Sequence, residues 1–416
     1  MKNLLKPLSL AFFVAATLPT QSACNQTSPS SNPPTQNAHT QTSLPSDTIP
    51  TTSLSPHFCK TIGGPASEAG HSLIQTSDGG YAITGYTYSF GAGEKDVYVV
   101  KLDANGNLQW TKTIGGPERE EGKSLIQTSD GGYAIAGTTS SFGAGGEDVY
   151  VVKLDAHGNL QWTRTIGGPK YEEGNSLIQT SDGGYAIAGT TTSFGAGKAD
   201  VYVVKLDAKG NLQWTKTIGG PDREEGRSLI QTSDGGYAII GSTKSFGAGD
   251  EDVYFVKLDA KGNLQWTNTI GGPETEEGYS LIQTSDGGYA IAGYAEFLGA
   301  EVFEVYFVGL DAKGNLQWTK TIGGKWAEAG NSLIQTSDGG YAIAGTTGSF
   351  GAGGDDVYVV KLDKNGDACC AASQTSQVRS GGTLGSPTSS IGSGGTLTTP
   401  PTPSTSSGGT LSSQCP

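Results

Sequence analysis

Between residues 58 and 370 the apolar residues come in short runs that alternate with polar ones, and each run is cut by Gly, Pro, Asn or Asp. Ser124–Ser129 and Tyr133–Thr139 are two such runs, joined by Asp130-Gly131-Gly132. Alternation with a period of two marks a strand with one face covered, and a Gly-rich turn between two such runs predicts a β-hairpin. After the Gly-rich loop Ser141–Glu147, Asp148–Asp155 (DVYVVKLD) predicts a third strand. His157-Gly158-Asn159 turns the chain into a fourth, Leu160–Ile166, which Gly167-Gly168-Pro169 ends. No stretch of this unit carries a helical period.

The same unit then repeats. SLIQTSDGGYAI stands unchanged at Ser72, Ser124, Ser176, Ser228, Ser280 and Ser332, always 52 residues apart. A second constant block, LDAxGNLQWTxTIGG, places Trp at 110, 162, 214, 266 and 318. A fixed period of this length decides the architecture before any other signal. Four antiparallel strands per unit, repeated six times, predict an all-β fold, a six-bladed β-propeller over residues 57–370 in which neighbouring blades cover each other's faces. Phe58-Cys59-Lys60-Thr61-Ile62 aligns with Trp110–Ile114, and the sixth unit stops near Cys370, after its third strand. The ring is therefore expected to close by pairing its N- and C-terminal strands, which would also remove two exposed edges.

The LDAxGNLQW block resembles the tryptophan-docking motif of quinoprotein-like propellers, including bacterial repeat lipoproteins. The resemblance implies that Trp110, Trp162, Trp214, Trp266 and Trp318 each pack on an adjacent blade. Phe58 holds the sixth docking position, so the closing junction is expected to be the weakest. The chain begins with Lys2 and Lys6, an apolar stretch Leu8–Leu18, and Ser22-Ala23-Cys24. This reads as an export signal over residues 1–24. Its small residues before Cys24 resemble a bacterial lipobox, which implies lipidation of Cys24 and an outer-membrane or cell-surface lipoprotein, with a periplasmic or secreted protein as the alternative. Residues 25–56, rich in Ser, Thr, Pro and Gln, lack the apolar surface to fold and read as a tether.

Cysteine placement adds a staple. Apart from Cys24, the cysteines are Cys59, Cys369, Cys370 and Cys415, and none lies in the repeats between. Cys59 is expected to bond Cys369 or Cys370 across the closing junction, since exported proteins permit disulfides. Residues 371–416 are Ser/Thr/Gly/Pro-rich, with SGGTL at Ser380, Ser393 and Ser407, and read as a low-complexity solvated tail.

Charge and chemistry narrow the function. A net charge of −14 argues against nucleic acid, which needs clustered Lys and Arg. The acidic clusters Glu118–Glu121, Lys170–Glu173, Asp222–Glu225 and Glu274–Glu277 are near-equivalent copies and read as solvated loops rather than acid/base pairs. Asp130 shows no titratable partner nearby in sequence. The four histidines (39, 57, 71 and 157) have no ligand spacing, and no metal or cofactor motif is present. No catalytic residue is assigned.

Differences among the copies concentrate in the loop between blades and the loop between the second and third strands. The residue before each constant Ser also varies: His71, Lys123, Asn175, Arg227, Tyr279 and Asn331. Both loops leave a four-stranded blade at one end, giving a single variable face. Its candidate ligand-binding residues are Tyr88, Tyr171, Arg227, Tyr279, Phe303 and Trp326, because binding favours loops on rigid scaffolds and aromatic anchors. Phe90, Phe142, Phe194, Phe246 and Phe350, constant in their loops, read as inward-packed anchors. The expectation is a monomeric, non-enzymatic binding or scaffolding propeller for a protein or carbohydrate at the cell surface. An envelope assembly-factor lipoprotein is the alternative, and a quinone-dependent oxidoreductase the third candidate.

Overall fold

The computed structural model describes residues 58, 60–296, 303–351 and 354–367, together with the backbone of the short strands 11–12, 377–379, 383–385, 390–392, 396–398, 404–406 and 410–413. The expected Cys24, Cys59, Cys369 and Cys370 chemistry and the 25–56 tether lie outside the described residues.

The fold is an all-β, six-bladed propeller. Blade two shows the unit: Glu120–Gln127 inside, then Tyr133–Thr139, Asp148–Leu154 and the outer strand Leu160–Gly167, each antiparallel to the last. Gly131, at φ 81°, makes the first turn, a conformation only Gly adopts freely. Blades one, three, four and five repeat this order, and Glu328–Gln335, Tyr341–Thr347 and Asp356–Leu362 form three strands of the sixth.

Both faces of a central blade are apolar, so blades are stable only as neighbours. Tyr133, Tyr150, Val149, Val151 and Val152 are all buried, because blades one and three close over blade two. The docking tryptophans do as expected: Trp110 meets Tyr133 of the next blade edge-on at 5.6 Å, and Trp162 and Trp214 repeat the contact on Tyr185 and Tyr237. Phe58 takes the same place on Tyr81, also at 5.6 Å.

The constant block proves to be joinery. Leu177 N–H donates to Ser124 Oγ of the preceding blade at 3.1 Å, and the bond recurs from Leu125, Leu229, Leu281 and Leu333. Ser129 N–H donates to Gln179 Oε1 of the following blade at 2.8 Å, again once per junction. Asp130 does have a titratable partner, contrary to expectation. Lys153 Nζ, from the third strand, lies 3.0 Å from Asp130 Oδ2, as Lys101, Lys205, Lys257 and Lys361 do from their own turn aspartates. The alternation of the strand hides this lysine among valines. In blade five Gly309 stands where the others have Lys, and Trp318 fills the space.

Two expectations need correction. Closure was expected to pair the N-terminal fragment with the sixth blade. Among the described residues, Asp356–Leu362 pairs only with Tyr341–Thr347, and Val357 and Val359 are 78% and 68% exposed where Val97 and Val99 are fully buried. Lys60–Gly63 instead pairs with Thr410–Ser413. The fragment keeps its seat against blade one, through Phe58 and Ile62, but among the described residues no strand pairs with the outer side of Asp356–Leu362.

The second correction concerns the tail, which the low-complexity composition presented as structureless. It forms six short strands, each antiparallel to a different outer strand: Gln377–Arg379 on blade five, Thr383–Gly385 on four, Ser390–Gly392 on three, Thr396–Thr398 on two, Ser404–Ser406 on one, and Thr410–Ser413 on Lys60–Gly63. Runs of three residues are too short for period-two alternation to register. Ala11–Phe12 pairs in parallel with Ser72–Leu73 of the innermost strand of blade one.

The docking contact gives a direct test. Trp214→Ala removes a partly buried indole from the face of Tyr237, and is expected to lower the unfolding free energy by about 2–4 kcal/mol, below the cost of a fully buried Trp. Denaturant titration of purified protein measures this, and a change within error would show that the indole does not hold the junction.

Candidate binding face

The interblade loop and the loop between the second and third strands meet at one end of the blades, as expected. Short parallel bridges join them at Lys95–Arg119, Ala199–Arg223 and Glu251–Thr275. The constant turns, such as Thr128–Gly132 and Asp155–Asn159, lie at the other end. Of the candidate residues on the loop face, Tyr88 and Trp326 are open to solvent, at 45% and 57% exposure. Trp326 is held by its own N–H, which donates to Ser349 Oγ at 2.7 Å, and Lys325 Nζ lies 5.0 Å from its ring. Tyr88 stands edge-on to Tyr86, which in turn meets His71 at 5.4 Å and carries Lys95 Nζ 3.9 Å above its ring. The anchor Phe142 packs on buried Tyr150 at 5.9 Å, and its copies repeat the contact.

The other candidates are engaged inside the seams between blades. Position by position, the residue before the constant Ser reaches the following blade. His71 Nδ1 lies 2.8 Å from Glu121 Oε1, Lys123 Nζ 2.9 Å from Glu173, and Arg227 2.5 Å from Glu277. Asn175 donates to Gly226 O at 3.0 Å. Each carboxylate sits 50 residues after its partner, at a position where blades one and six carry Ala69 and Ala329. Where the following blade offers Ala329, the reaching residue is Tyr279, which stacks under Arg227 and against Tyr294 instead. Tyr294 donates to Glu277 at 2.7 Å and meets Phe303 edge-on at 4.9 Å. The structure thus gathers Arg227, Tyr279 and Phe303 into one cluster, while Tyr171 donates to Glu173 one junction away. Burial pushes the Glu121 carboxyl up, but hydrogen bonds and charge from His71 and Lys95 outweigh it and hold it down at about 2.

One glutamate of each acidic cluster is not in a solvated loop at all. Glu120, Glu172 and Glu224 are fully buried and Glu276 nearly so, as the first residues of inner strands. Glu120 accepts from Gly116 N–H at 2.7 Å, Thr139 Oγ1 at 2.7 Å and Ser141 N–H at 3.1 Å. A second carboxyl, 24 residues earlier, faces it: Asp96, Asp148 and Asp200 each leave Oδ1 buried without a hydrogen-bond partner. Both groups converge on the bare Cα of a glycine; a methyl on Gly115 would stand 2.1 Å from Asp96 Oδ1 and 2.5 Å from Glu120 Oε2. Burial first, and then the Glu120 charge, push the Asp96 carboxyl up to about 6, and the same arrangement with Glu172 does so for Asp148. These pairs sit buried inside the junctions, directly beneath the loops, whose Gly93, Ala144, Gly116 and Ser141 amides they bind.

Between blades three and four the loop face is indented by a shallow cleft of about 350 Å³, lined by Tyr171, Thr192, Lys198, Asp222, Arg223 and Lys244. Its cations are paired, Lys198 with Asp222 at 3.0 Å, Lys244 with Glu251 at 3.0 Å and Arg223 with Glu225. Only Tyr171 of this set was singled out by its residue type. Lys198, Arg223 and Lys244 come from three different loops, 25 and 21 residues apart, and neither spacing marks them as neighbours.

With this geometry in view, comparison with known proteins is consistent. The profile of the family described as outer membrane protein assembly factor BamB matches residues 88–245, from the second half of blade one into blade four. The regulatory protein FlaEY of Caulobacter vibrioides is 28% identical over 186 residues, 41% of this chain and 19% of that protein. The match thus spans about a fifth of the curated relative's length. The resemblance to quinoprotein-like propeller repeats stands. Among solved structures, Sqt1 from Chaetomium thermophilum aligns at 15% identity and a TM-score of 0.42 over 74% of this chain and 75% of that one. Endo-1,5-alpha-L-arabinanase from Thermotoga petrophila RKU-1 aligns at 13% identity and a TM-score of 0.32 over 74% and 93%. Neither score identifies a function.

The buried carboxyl pairs make stability depend on pH in a stated direction. Asp96 and Asp148 bind protons more tightly folded than unfolded, so their contribution is complete below about pH 4 and lost as pH rises through about 6. The turn aspartates Asp78, Asp130, Asp182 and Asp234 run the other way. Although partial burial opposes it, their Thr, Lys and Gly partners hold them at about 2, and their contribution is lost only as pH falls below the usual carboxylate range. The melting temperature is therefore expected to peak near about pH 4 and to fall toward about pH 6.5. Asp148→Asn, whose amide can donate to Glu172 at any pH, should flatten that fall. A parent profile that rises between those two pH values would overturn the assignment.

Proposed function

We propose that the protein is a non-enzymatic binding or scaffolding propeller of the cell envelope, which holds a protein partner on its loop face. The observation that carries this reading is the contrast between seams and loops. Five junctions repeat the same Ser–Leu and Gln–Ser ties and four of them the Trp–Tyr contact, while the loops at one end differ from blade to blade and leave Tyr88 and Trp326 in solvent. A rigid scaffold with unequal loops is how binding surfaces are built. The matched profile carries the name of an outer membrane assembly factor and the matched relative that of a regulatory protein, and both names point to work on other proteins. The carboxyl pairs with displaced protonation are enclosed in the seams, whereas acid/base pairs that act on a substrate must flank it. A carbohydrate ligand is the second reading, favoured by the cleft in which Tyr171 offers a ring beside paired charged groups.

Capture from solubilised envelope membranes, with a glycan array run in parallel, tests the reading. Tyr88→Ala with Trp326→Ala is expected to weaken partner capture about tenfold or more, as loss of exposed interface anchors does, without moving the melting temperature. Lys209→Ala, on the turns at the opposite end, should bind as the parent does. Arg227→Ala and Tyr279→Ala should lower the melting temperature, since both side chains are built into a seam. Equal capture by the Tyr88/Trp326 variant and the parent would place binding elsewhere; a carbohydrate hit lost in that variant would select the second reading.

A further inference from the structure

The outer strand of every blade offers a free row of backbone N–H and C=O groups, the feature through which sheets add strands from other chains. In this protein each row is taken by the chain's own C-terminal tail. The tail visits blades five, four, three, two and one in that order and ends on Lys60–Gly63. The register is the same at every stop. The central residue of each tail strand is paired with the Ile of the constant Thr-Ile-Gly: Val378 with Ile322, Leu384 with Ile270, Ile391 with Ile218, Leu397 with Ile166, Thr405 with Ile114 and Leu411 with Ile62.

The sequence of the tail agrees with this independently. Residues 371–416 contain five Val, Ile or Leu residues, and all five are the strand centres just named. The first four stand six or seven residues apart and Leu411 follows Leu397 by 14, two such steps with Thr405 between them. A tail kept only for solubility has no need to space its few aliphatic residues at the pitch of the blades. A register slip by one residue would turn each of them to the opposite face of its sheet, and no stop slips.

We propose that residues 371–416 are an intramolecular belt, a segment that adds a fifth strand to each blade and so closes the outer edges to other copies of this chain. Its direction has a second consequence. Because the last belt strand lies on Lys60–Gly63, the belt ties the N-terminal fragment to blade five through every edge between them, and so joins the two ends of the repeat array. The stop at Thr405, which has no aliphatic centre, is the belt's weakest.

Hydrogen exchange on the full-length chain tests the belt without altering it. Amides of 383–385, 390–392 and 396–398 are expected to exchange at least about tenfold more slowly than the links between them, and those of 404–406 faster than the other stops. Truncation after Asp367 is expected to lower the melting temperature and to produce concentration-dependent self-association in analytical ultracentrifugation, where the full chain sediments as a monomer. Adding a synthetic 371–416 peptide in trans should reverse the association. Leu384→Asp with Ile391→Asp and Leu397→Asp, which leaves the blades untouched, should reproduce the truncation. Tail amides that exchange at the rate of an unfolded peptide in the full chain would overturn the proposal, as would a truncated protein that stays monomeric with an unchanged melting temperature. A full chain that sediments as a dimer with protected tail amides would also overturn it, by showing that the belt is worn by a neighbour.

Discussion

The face of one blade on the face of the next is the contact on which everything else in this protein rests. A strand such as Asp148–Leu154 is buried along its whole length, which a single four-stranded sheet cannot achieve; only two flanking blades can cover Val149, Val151, Tyr150 and Val152 at once. The constant residues serve this contact. Trp162 covers Tyr185, Ser124 Oγ accepts the amide of Leu177, and Gln179 reaches back to the turn at Ser129. Each tie spans one repeat, so a substitution in a single copy of the block would damage the junction on one or both of its sides. That doubling is a physical reason for twelve residues to stay identical in six copies with no ligand in common.

Electrostatics follow the same seams. A chain of net charge −14 invites the picture of an acidic surface, yet many carboxylates are spent inside. Glu121, Glu173 and Glu277 are partly buried and bound to basic residues of the preceding blade, and Glu120, Glu172 and Glu224 are sealed against aspartates. Burying a carboxylate without a partner costs several kcal/mol, so each needs a cation, several N–H donors or a proton. Cations serve Glu121, Glu173 and Glu277, and N–H and hydroxyl donors serve Glu120, within a few residues of one another. Gly115 and its copies complete them, because the two carboxyls occupy the space that any side chain would fill.

What the sequence made legible was whatever lies within one repeat. The four strands, their Gly turns, the period of 52 and the docking role of Trp110 and its copies could all be read from local pattern. What it concealed were pairings between repeats. Asp148 and Glu172 are 24 residues apart and His71 and Glu121 are 50, and neither offset marks a helix face or a strand pair. Glu120 sat among charged neighbours and so resembled a loop residue. Covariation among the copies held the missing signal: where the following blade carries Ala329 in place of the carboxylate, the reaching residue is the uncharged Tyr279. The belt was concealed differently. Its strands are three or four residues long, which is below the length at which alternation registers, and only the pitch of Val378, Leu384, Ile391, Leu397 and Leu411 betrays it.

The sixth blade shows how far these rules determine the ends of the array. Glu328–Gln335, Tyr341–Thr347 and Asp356–Leu362 form a three-stranded sheet, and Lys60–Gly63 with Thr410–Ser413 form a separate two-stranded one. Phe58 already occupies the docking position on Tyr81, and Ile62 already carries a belt strand through Leu411, so the two-stranded piece is complete as far as its own neighbours go. The three-stranded piece is not: Val357 and Val359 remain in solvent, the only large aliphatic residues so exposed among the described ones. By the register of Val97 on Ile114 in blade one, the residue that stands opposite Val357 is Ile62. The chain therefore carries every strand of a sixth full blade, divided between its two ends. The exposed valines mark the edge along which the two parts correspond.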